Sequence, residues 1–142
     1  MKKEKTVLVC ITPQESSKQL VKSGKALADK YGAKLEVVSV LPLHQDNGQY
    51  KIEPDTIERL YQTAKSENGE MAIYFSDDPA LTVTAHIAKK KPVTLVTGFP
   101  GEKSNNFISV IHLILPDVPI SMVGAEGMIY NILPYEAMQN VR

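Results

Sequence analysis

The sequence predicts an α/β fold, a three-layer α/β/α sandwich built on one parallel sheet of five strands. Five short apolar runs alternate with segments of helical periodicity, and the connections between them are short. This alternation produces a parallel sheet with helices on both faces, joined by right-handed crossovers. The chain of 142 residues is the size of one domain, and its content of 43% hydrophobic and 23% charged residues is that of a globular protein.

The chain opens with a strand, a helix and a second strand. Residues 6–12 (T-V-L-V-C-I-T) are a continuous apolar run, typical of a strand that is covered on both faces. Ser16 or Ser17 then offers an N-cap for an amphipathic helix, which Gly32 closes at its C-terminus. A second apolar run at 34–41 returns the chain to the sheet.

The middle of the chain adds a polar loop, a second helix and a third strand. Residues 43–54 are polar and contain an Asn47-Gly48 turn signal. An amphipathic helix follows at 55–68, and a short third strand follows at 71–75. The alternation of strand and helix therefore continues.

The third helix has a strong start signal. Residues 76–79 (S-D-D-P) combine a capping side chain, two acidic residues and a proline in the first turn, and the helix continues to Lys90. We interpret the two aspartates as groups that cap the helix and complement its dipole rather than as metal ligands. The fourth strand is expected at 93–97 and the fifth at 120–123.

The helix after the fourth strand is apolar around most of its circumference. Only Ser109 and His112 form a polar strip on it, and one sheet face does not need so wide an apolar surface. We divide the chain into an α/β domain at 1–123 and a nearly uncharged, apolar C-terminal arm at 124–142. We expect this helix to be covered a second time, by the arm or by a partner subunit.

Composition excludes several classes of partner. The 16 basic and 16 acidic residues cancel, and no basic stripe appears, so we expect no binding to nucleic acid or to an anionic membrane. No apolar run approaches the ~20 residues that span a bilayer. The single cysteine, Cys10, lies in the first apolar run and is interpreted as a small buried hydrophobe. These features favour a cytoplasmic protein.

The sequence places a candidate ligand site where the first and fourth strands end. In a doubly wound sheet, the ligand crevice lies at the switch point of strand order, outside the carboxyl ends of the strands. Two glycines in the turn at 98–101 and a helix start at Ser104 can present backbone N–H groups to an anion. Alternatively, the glycines only form a tight turn and Ser104 caps its own helix. The candidate ligand-binding residues are Thr12, Gln14, Ser16, Gly98, Gly101, Lys103, Ser104 and Asn105.

No catalytic or metal site is predicted. The three histidines, His44, His86 and His112, have no Cys, Ser or carboxylate at a spacing that suggests a triad or a metal cage. His86 and His112 are interpreted as partly buried or surface residues of their helices.

Two segments resemble the universal stress protein family. Residues 7–42 are similar to the family's opening strand, helix and strand, most specifically at 24–35 (G-K-A-L-A-D-K-Y-G-A-K-L). Residues 78–98 are similar to its third helix and fourth strand, whereas 43–70 matches weakly. The nearest resemblance is to the version of the domain inside potassium-responsive sensor histidine kinases, which shares a V-C-I opening and a Ser-Ser before the helix.

This resemblance implies a sheet of order 3-2-1-4-5, of the adenine nucleotide alpha hydrolase-like class, and a homodimer. Family members that bind ATP carry an acidic residue at the end of the first strand and G-x2-G-x9-G-(S/T) after the fourth. Here Thr12 takes the acidic position, and Ile111-His112 stands where the third glycine and the hydroxyl residue belong. The second half of the phosphate loop is therefore missing.

We expect a homodimeric regulatory or ligand-sensing module without catalysis and without a standard ATP site or cofactor. Two alternatives stay open. One is a stress protein that binds ATP or another nucleotide and hydrolyses it slowly, and the other is a purely structural dimerisation domain.

Overall fold

Strands and helices alternate along the chain in the computed structural model, which describes residues 4–12, 17–43, 54–98, 105–124 and 126–132. Within these residues the alternation follows the predicted order, and one further strand comes after it. The elements are β1 (Thr6–Cys10), α1 (Ser17–Tyr31), β2 (Lys34–Leu41), α2 (Pro54–Lys65), β3 (Glu70–Phe75), α3 (Pro79–Lys90), β4 (Thr94–Gly98), α4 (Asn105–Ile114), β5 (Ile120–Val123) and β6 (Ile129–Ile132).

The strands form one sheet in the order β3-β2-β1-β4-β5-β6. The first five strands are parallel, which confirms the predicted α/β class and the order 3-2-1-4-5. At the centre, Leu8 of β1 is aligned with Glu36 of β2 on one side and with Leu95 of β4 on the other. From β1 the chain adds β2 and β3 on one side and then crosses to add β4 and β5 on the other. The switch point of strand order therefore lies between β1 and β4.

The sixth strand is a feature that the sequence does not predict. It runs antiparallel to β5, with Val123 aligned with Ile129. A tight connection makes this possible, because the Gly124 N–H donates to the Met128 carbonyl at 2.8 Å and Gly127 adopts a φ of +84°. Part of the expected C-terminal arm thus extends the sheet. The division at 123 stays a prediction, and residues 133–142 lie outside the described part.

Two hydrophobic layers cover the two faces of the sheet. Alternate residues of β1 point to opposite faces: Val7 and Val9 pack with α1 and α2, and Leu8 packs with α3 and α4. Gly24 lets α1 approach β1 closely, since a Cβ at this position would lie 2.2 Å from Cγ2 of Val9. Helices on both faces confirm the predicted three layers.

Capping residues fix the start of α3. The Leu81 N–H donates to Oδ1 of Asp78 at 3.2 Å, and Pro79 occupies the first turn. Asp77 Oδ1 accepts from the Leu43 N–H at 3.1 Å, which links the end of β2 to the same corner. Asp78 therefore caps α3 as predicted, whereas the bond from Leu43 to Asp77 holds the segment after β2.

The outer side of α4 remains accessible in the single chain. Ile111 is fully buried against the sheet, whereas Leu113 is 84% and Ile114 is 48% exposed. The described part of the arm lies beside β5 as a strand instead of across this helix. A second covering of α4 therefore stays a prediction. No described part of this chain lies over its exposed side, so the covering would have to come from a partner subunit or from residues that the structure does not describe.

Candidate functional site

The carboxyl edge of the sheet brings two of the candidate residues to the switch point. Thr12 follows β1, and Gly98 ends β4, the neighbouring strand. Leu20 of α1 lies beside Gly98, where an added Cβ would be 3.8 Å from Cδ2 of the leucine. Asn105 begins α4. The other candidates, Gln14, Ser16, Gly101, Lys103 and Ser104, lie outside the described residues, so their part in a site stays a prediction.

A groove of about 450 Å³ opens between α1 and α2 and reaches Thr12. Ser17 connects it to the strand end, because its hydroxyl donates to the Thr12 carbonyl. Every lining residue except Leu60 has a polar or charged side chain. It consists of Thr12, Ser17, Lys18, Lys22, Thr56, Arg59, Leu60, Gln62, Thr63 and Ser66.

The groove carries positive charge. Lys18 and Lys22 are one turn apart on α1, and Arg59 faces them from α2. No acidic residue is among the lining residues that the structure describes. Arg59 Nη2 donates to the Thr56 hydroxyl at 3.5 Å, and the Thr63 hydroxyl donates to the Arg59 carbonyl at 2.8 Å, so α2 holds these groups together. A guanidinium, two ammonium groups and several hydroxyls are donors that suit a phosphate or carboxylate.

The sequence pattern predicts one end of this groove, at Thr12, but not its helical walls. Thr12 could be predicted from the sequence because a residue at the end of a central strand lies at the switch point. Lys22 and Arg59 stand at exposed helix positions and have the spacing of ordinary solvated faces. The helix that carries Arg59 also falls in 43–70, where the family resemblance is weakest.

Cys10 and His112 have structural surroundings. Cys10 packs against the α3 and α4 layer, and burial raises the pKa of its thiol to about 12, so it stays protonated and unreactive at neutral pH. His112 Nε2 lies 3.1 Å from the Val118 carbonyl and donates to it, which ties the end of α4 to the approach to β5. His86 is buried and bonded to two side chains, contrary to its interpretation as a partly buried or surface residue, and His44 lies outside the described residues.

Two other kinds of site are not seen in the part of the chain that the structure describes. It contains no group of three or more His, Cys, Asp or Glu side chains able to hold a metal ion. None of its helices is long and apolar enough to cross a bilayer.

The sheet order and the flanking helices define an α/β domain of the adenine nucleotide alpha hydrolase-like class. The model of the universal stress protein family matches residues 4–109, most of the chain. The chain belongs to the universal stress protein family. A nearer kinship to the kinase-associated version of the domain stays a prediction.

Solved structures of this fold include several universal stress proteins. The universal stress protein from Archaeoglobus fulgidus has a TM-score of 0.63 and 15% identity, over 83% of this chain and 92% of that one. The universal stress protein from Archaeoglobus fulgidus in complex with dAMP gives 0.60 and 15%, over 86% and 98%. A universal stress protein in complex with cAMP gives 0.54 and 17%, over 77% and 88%. A search of curated protein sequences finds no match.

Proposed function

We propose that this chain is a regulatory, ligand-sensing module that binds a small anionic molecule in the groove between α1 and α2. The observation that supports this most is the charge of the groove, with Lys18, Lys22 and Arg59 around a volume of about 450 Å³. Such a volume suits a small metabolite. Its position beside Thr12 agrees with the rule that ligands of open α/β sheets bind at the switch point.

The groove is proposed to bind without chemistry. Its described lining contains lysine, arginine, hydroxyl and amide side chains, and none of these is a histidine, cysteine or carboxylate. Reaction at neutral pH needs a general base or an activated nucleophile, and these residue types supply neither without help. Binding and release of a ligand is therefore the role that we assign to it.

A nucleotide is the second candidate ligand. Two structural neighbours are complexes with dAMP and cAMP, each of which contains one phosphate. Lysine and arginine side chains recognise such groups. The second half of the family's phosphate loop is missing from this sequence, which argues against the standard mode of ATP binding. If the ligand is nevertheless ATP, slow hydrolysis is the alternative function.

Assembly as a homodimer is part of the proposal. Exposed apolar side chains lie on α4 (Leu113 and Ile114), on β6 (Ile129 and Tyr130) and at Met128, just before β6. A second copy of the chain would cover them and provide the second covering of α4 that its sequence calls for. Dimerisation alone, without a ligand, is the third candidate function. A free, protonated Cys10 is consistent with the cytoplasm as the proposed compartment.

The test begins with native mass spectrometry of the purified chain, to detect a ligand that survives purification. Thermal-shift titrations with inorganic pyrophosphate, dAMP, cAMP, ATP with Mg²⁺ and cyclic dinucleotides then compare the candidates, because a ligand that binds only the folded state raises Tm. We expect at least one of these anions to raise Tm. No shift with any of them would contradict the proposal and favour dimerisation alone.

Charge variants locate the binding. Arg59→Gln should lower the affinity for the stabilising anion by about tenfold, equivalent to ~1.4 kcal/mol of binding free energy, since it removes one charge-assisted contact. Lys30→Gln is the matched control, because Lys30 lies in the last turn of α1 and does not line the groove. Stabilisation by ATP with Mg²⁺ that is lost in Gly101→Val and kept in Arg59→Gln would favour the nucleotide loop instead.

A further inference from the structure

A chain of four side chains runs from the surface into the core on the α3 side of the sheet. Glu36 of β2 is buried, and its two carboxylate oxygens have different partners: Oε1 bonds His86 Nε2, and Oε2 lies 3.3 Å from Lys90 Nζ. The other imidazole nitrogen, Nδ1, lies 2.6 Å from the hydroxyl of Tyr74. Glu36 and His86 are 6% and 5% exposed, so water has little access to the bond between them.

With a neutral imidazole, the partners of His86 determine which group donates each hydrogen bond in this chain. A carboxylate only accepts, so the imidazole Nε2–H donates to Glu36. In the neutral imidazole Nδ1 then carries no hydrogen and accepts, so the phenol of Tyr74 donates to it. The order is therefore phenol O–H to imidazole to carboxylate. It is the arrangement in which a histidine can take a proton from a nucleophile while a carboxylate orients it.

The phenol end of this chain borders open space. A cleft of about 470 Å³ lies between α3 and the edge strand β3, and both Tyr74 and His86 line it. Leu81 and Ala85 form an apolar wall, Lys89 adds a positive charge, and Asp78 adds a negative charge. Tyr74 lies on the last strand of the sheet on this side, and its side chain is partly exposed.

We propose that Tyr74 is the nucleophile of a second site, that His86 is its general base, and that the cleft accepts an activated acyl donor with a short apolar chain. Glu36 is a positioning residue that holds the imidazole. The site is separate from the groove at Thr12 and does not depend on the ligand proposed there.

The proposed reaction has two steps. The phenolic oxygen of Tyr74 attacks the carbonyl carbon while its proton passes to Nδ1 of His86, and Lys89 supplies positive charge to the developing oxyanion. The ester C–O bond then breaks, the leaving group takes the proton from Nδ1, and an acyl ester remains on Tyr74. Water then attacks the acyl carbon while its proton passes to Nδ1 of His86. The bond from that carbon to the phenolic oxygen breaks, the carboxylic acid leaves, and Nδ1 returns the proton to the oxygen of Tyr74.

The test compares tyrosines within one protein. The full chain is incubated with p-nitrophenyl butyrate, nitrophenolate release is followed by absorbance, and butyryl groups are located by peptide mass spectrometry. We expect Tyr74 to be acylated at least about tenfold faster than Tyr61 and Tyr130, because a general base typically contributes ~10²-fold or more. Simple exposure predicts the reverse, since those two residues are 50% and 44% exposed, whereas Tyr74 is partly buried.

Variants separate a reactive site from a structural network. Tyr74→Phe should abolish nitrophenolate release above background, and Tyr61→Phe is the matched control that should leave it unchanged. Glu36→Gln should lower kcat about tenfold with KM unchanged, because the amide holds the imidazole less firmly. Acylation of Tyr74 no faster than that of Tyr61 in the unaltered chain would overturn the proposal, and this comparison needs no variant to fold.

Discussion

Glu36 and His86 are 50 positions apart in the sequence and are bonded to each other in the interior, between β2 and α3. The two side chains cross the layer that otherwise contains apolar residues such as Leu8, Val38 and Ile87. A carboxylate in this position needs partners, because an unpaired buried charge is strongly unfavourable. The pair therefore couples the stability of the sheet to that of α3.

A double-mutant cycle should reveal this coupling. Glu36→Leu leaves the imidazole N–H without its acceptor, so we expect it to lower the free energy of unfolding by roughly 3 kcal/mol. Glu36→Leu/His86→Leu should cost less than the sum of the two single changes, because neither polar partner remains buried alone, with a coupling of about 1–2 kcal/mol. Urea denaturation measures all four proteins. Strict additivity would show that the bond contributes nothing.

Gly24→Ala should destabilise the fold although alanine is the better helix former. The gain in helix propensity is ~1 kcal/mol, but the new Cβ would lie 2.2 Å from Cγ2 of Val9, in a fully buried layer. We expect a net loss of roughly 1–2 kcal/mol in urea denaturation. Gly24→Ala/Val9→Ala should remove the clash, so that Gly24→Ala no longer destabilises in the Val9→Ala background. A stabilised Gly24→Ala protein would contradict the close packing of α1 on β1.

Cys10 should make stability fall at high pH. Burial raises the pKa of its thiol from 9.0 to about 12, so between these values the unfolded chain loses the proton and the folded chain keeps it. The folded state binds more protons in this window, and the free energy of unfolding therefore decreases as pH rises. Comparison with Cys10→Ala isolates the effect from other titrating groups. We expect a shallower decrease for the variant, and equal slopes would contradict the burial of the thiol.

The exposed side of α4 should control assembly. Leu113 is 84% exposed in the single chain, so Leu113→Glu should leave the unfolding of the monomer unchanged while placing a charge in the proposed interface. Sedimentation velocity is expected to show a dimer for the unaltered chain and a monomer for the variant. Leu81→Glu, at an apolar residue of α3 that is 49% exposed, is the control and should remain dimeric. If the unaltered chain is a monomer, the proposal that it assembles as a homodimer is wrong.

The parallel part of the fold could be predicted because its signals are local. Continuous runs of Val, Ile and Leu bounded by charge or proline mark the central strands, and caps such as Asp78 mark the helices. β6 has no comparable signal. It is four residues long with Asn131 inside it, and it is held by pairing with β5 after the turn at Gly127. Such a strand is created by tertiary contact rather than by its own sequence.

The groove and the Glu36–His86 network could not be predicted in the same way, because both depend on contacts between elements that are distant in the sequence. Thr12 follows from the position of a strand end, but the groove depends on which sides of α1 and α2 face each other. Lys22 and Arg59 are charged residues on exposed helix surfaces, and nothing in their spacing distinguishes a binding wall from a solvated one. The sequence analysis did not single out Glu36 in its apolar strand, because its partner His86 is 50 positions away and meets it only in the folded chain.

Mapping anion binding residue by residue is the sharpest test of whether the groove beside Thr12 is a ligand site. An NMR titration of isotopically labelled chain with inorganic pyrophosphate and with dAMP reports each backbone amide separately. We predict saturable shifts that cluster at Thr12, Ser17, Lys22, Arg59 and Thr63, and that weaken as salt screens the charges. Shifts that cluster elsewhere, or no saturable shift with either anion, would contradict the proposed site.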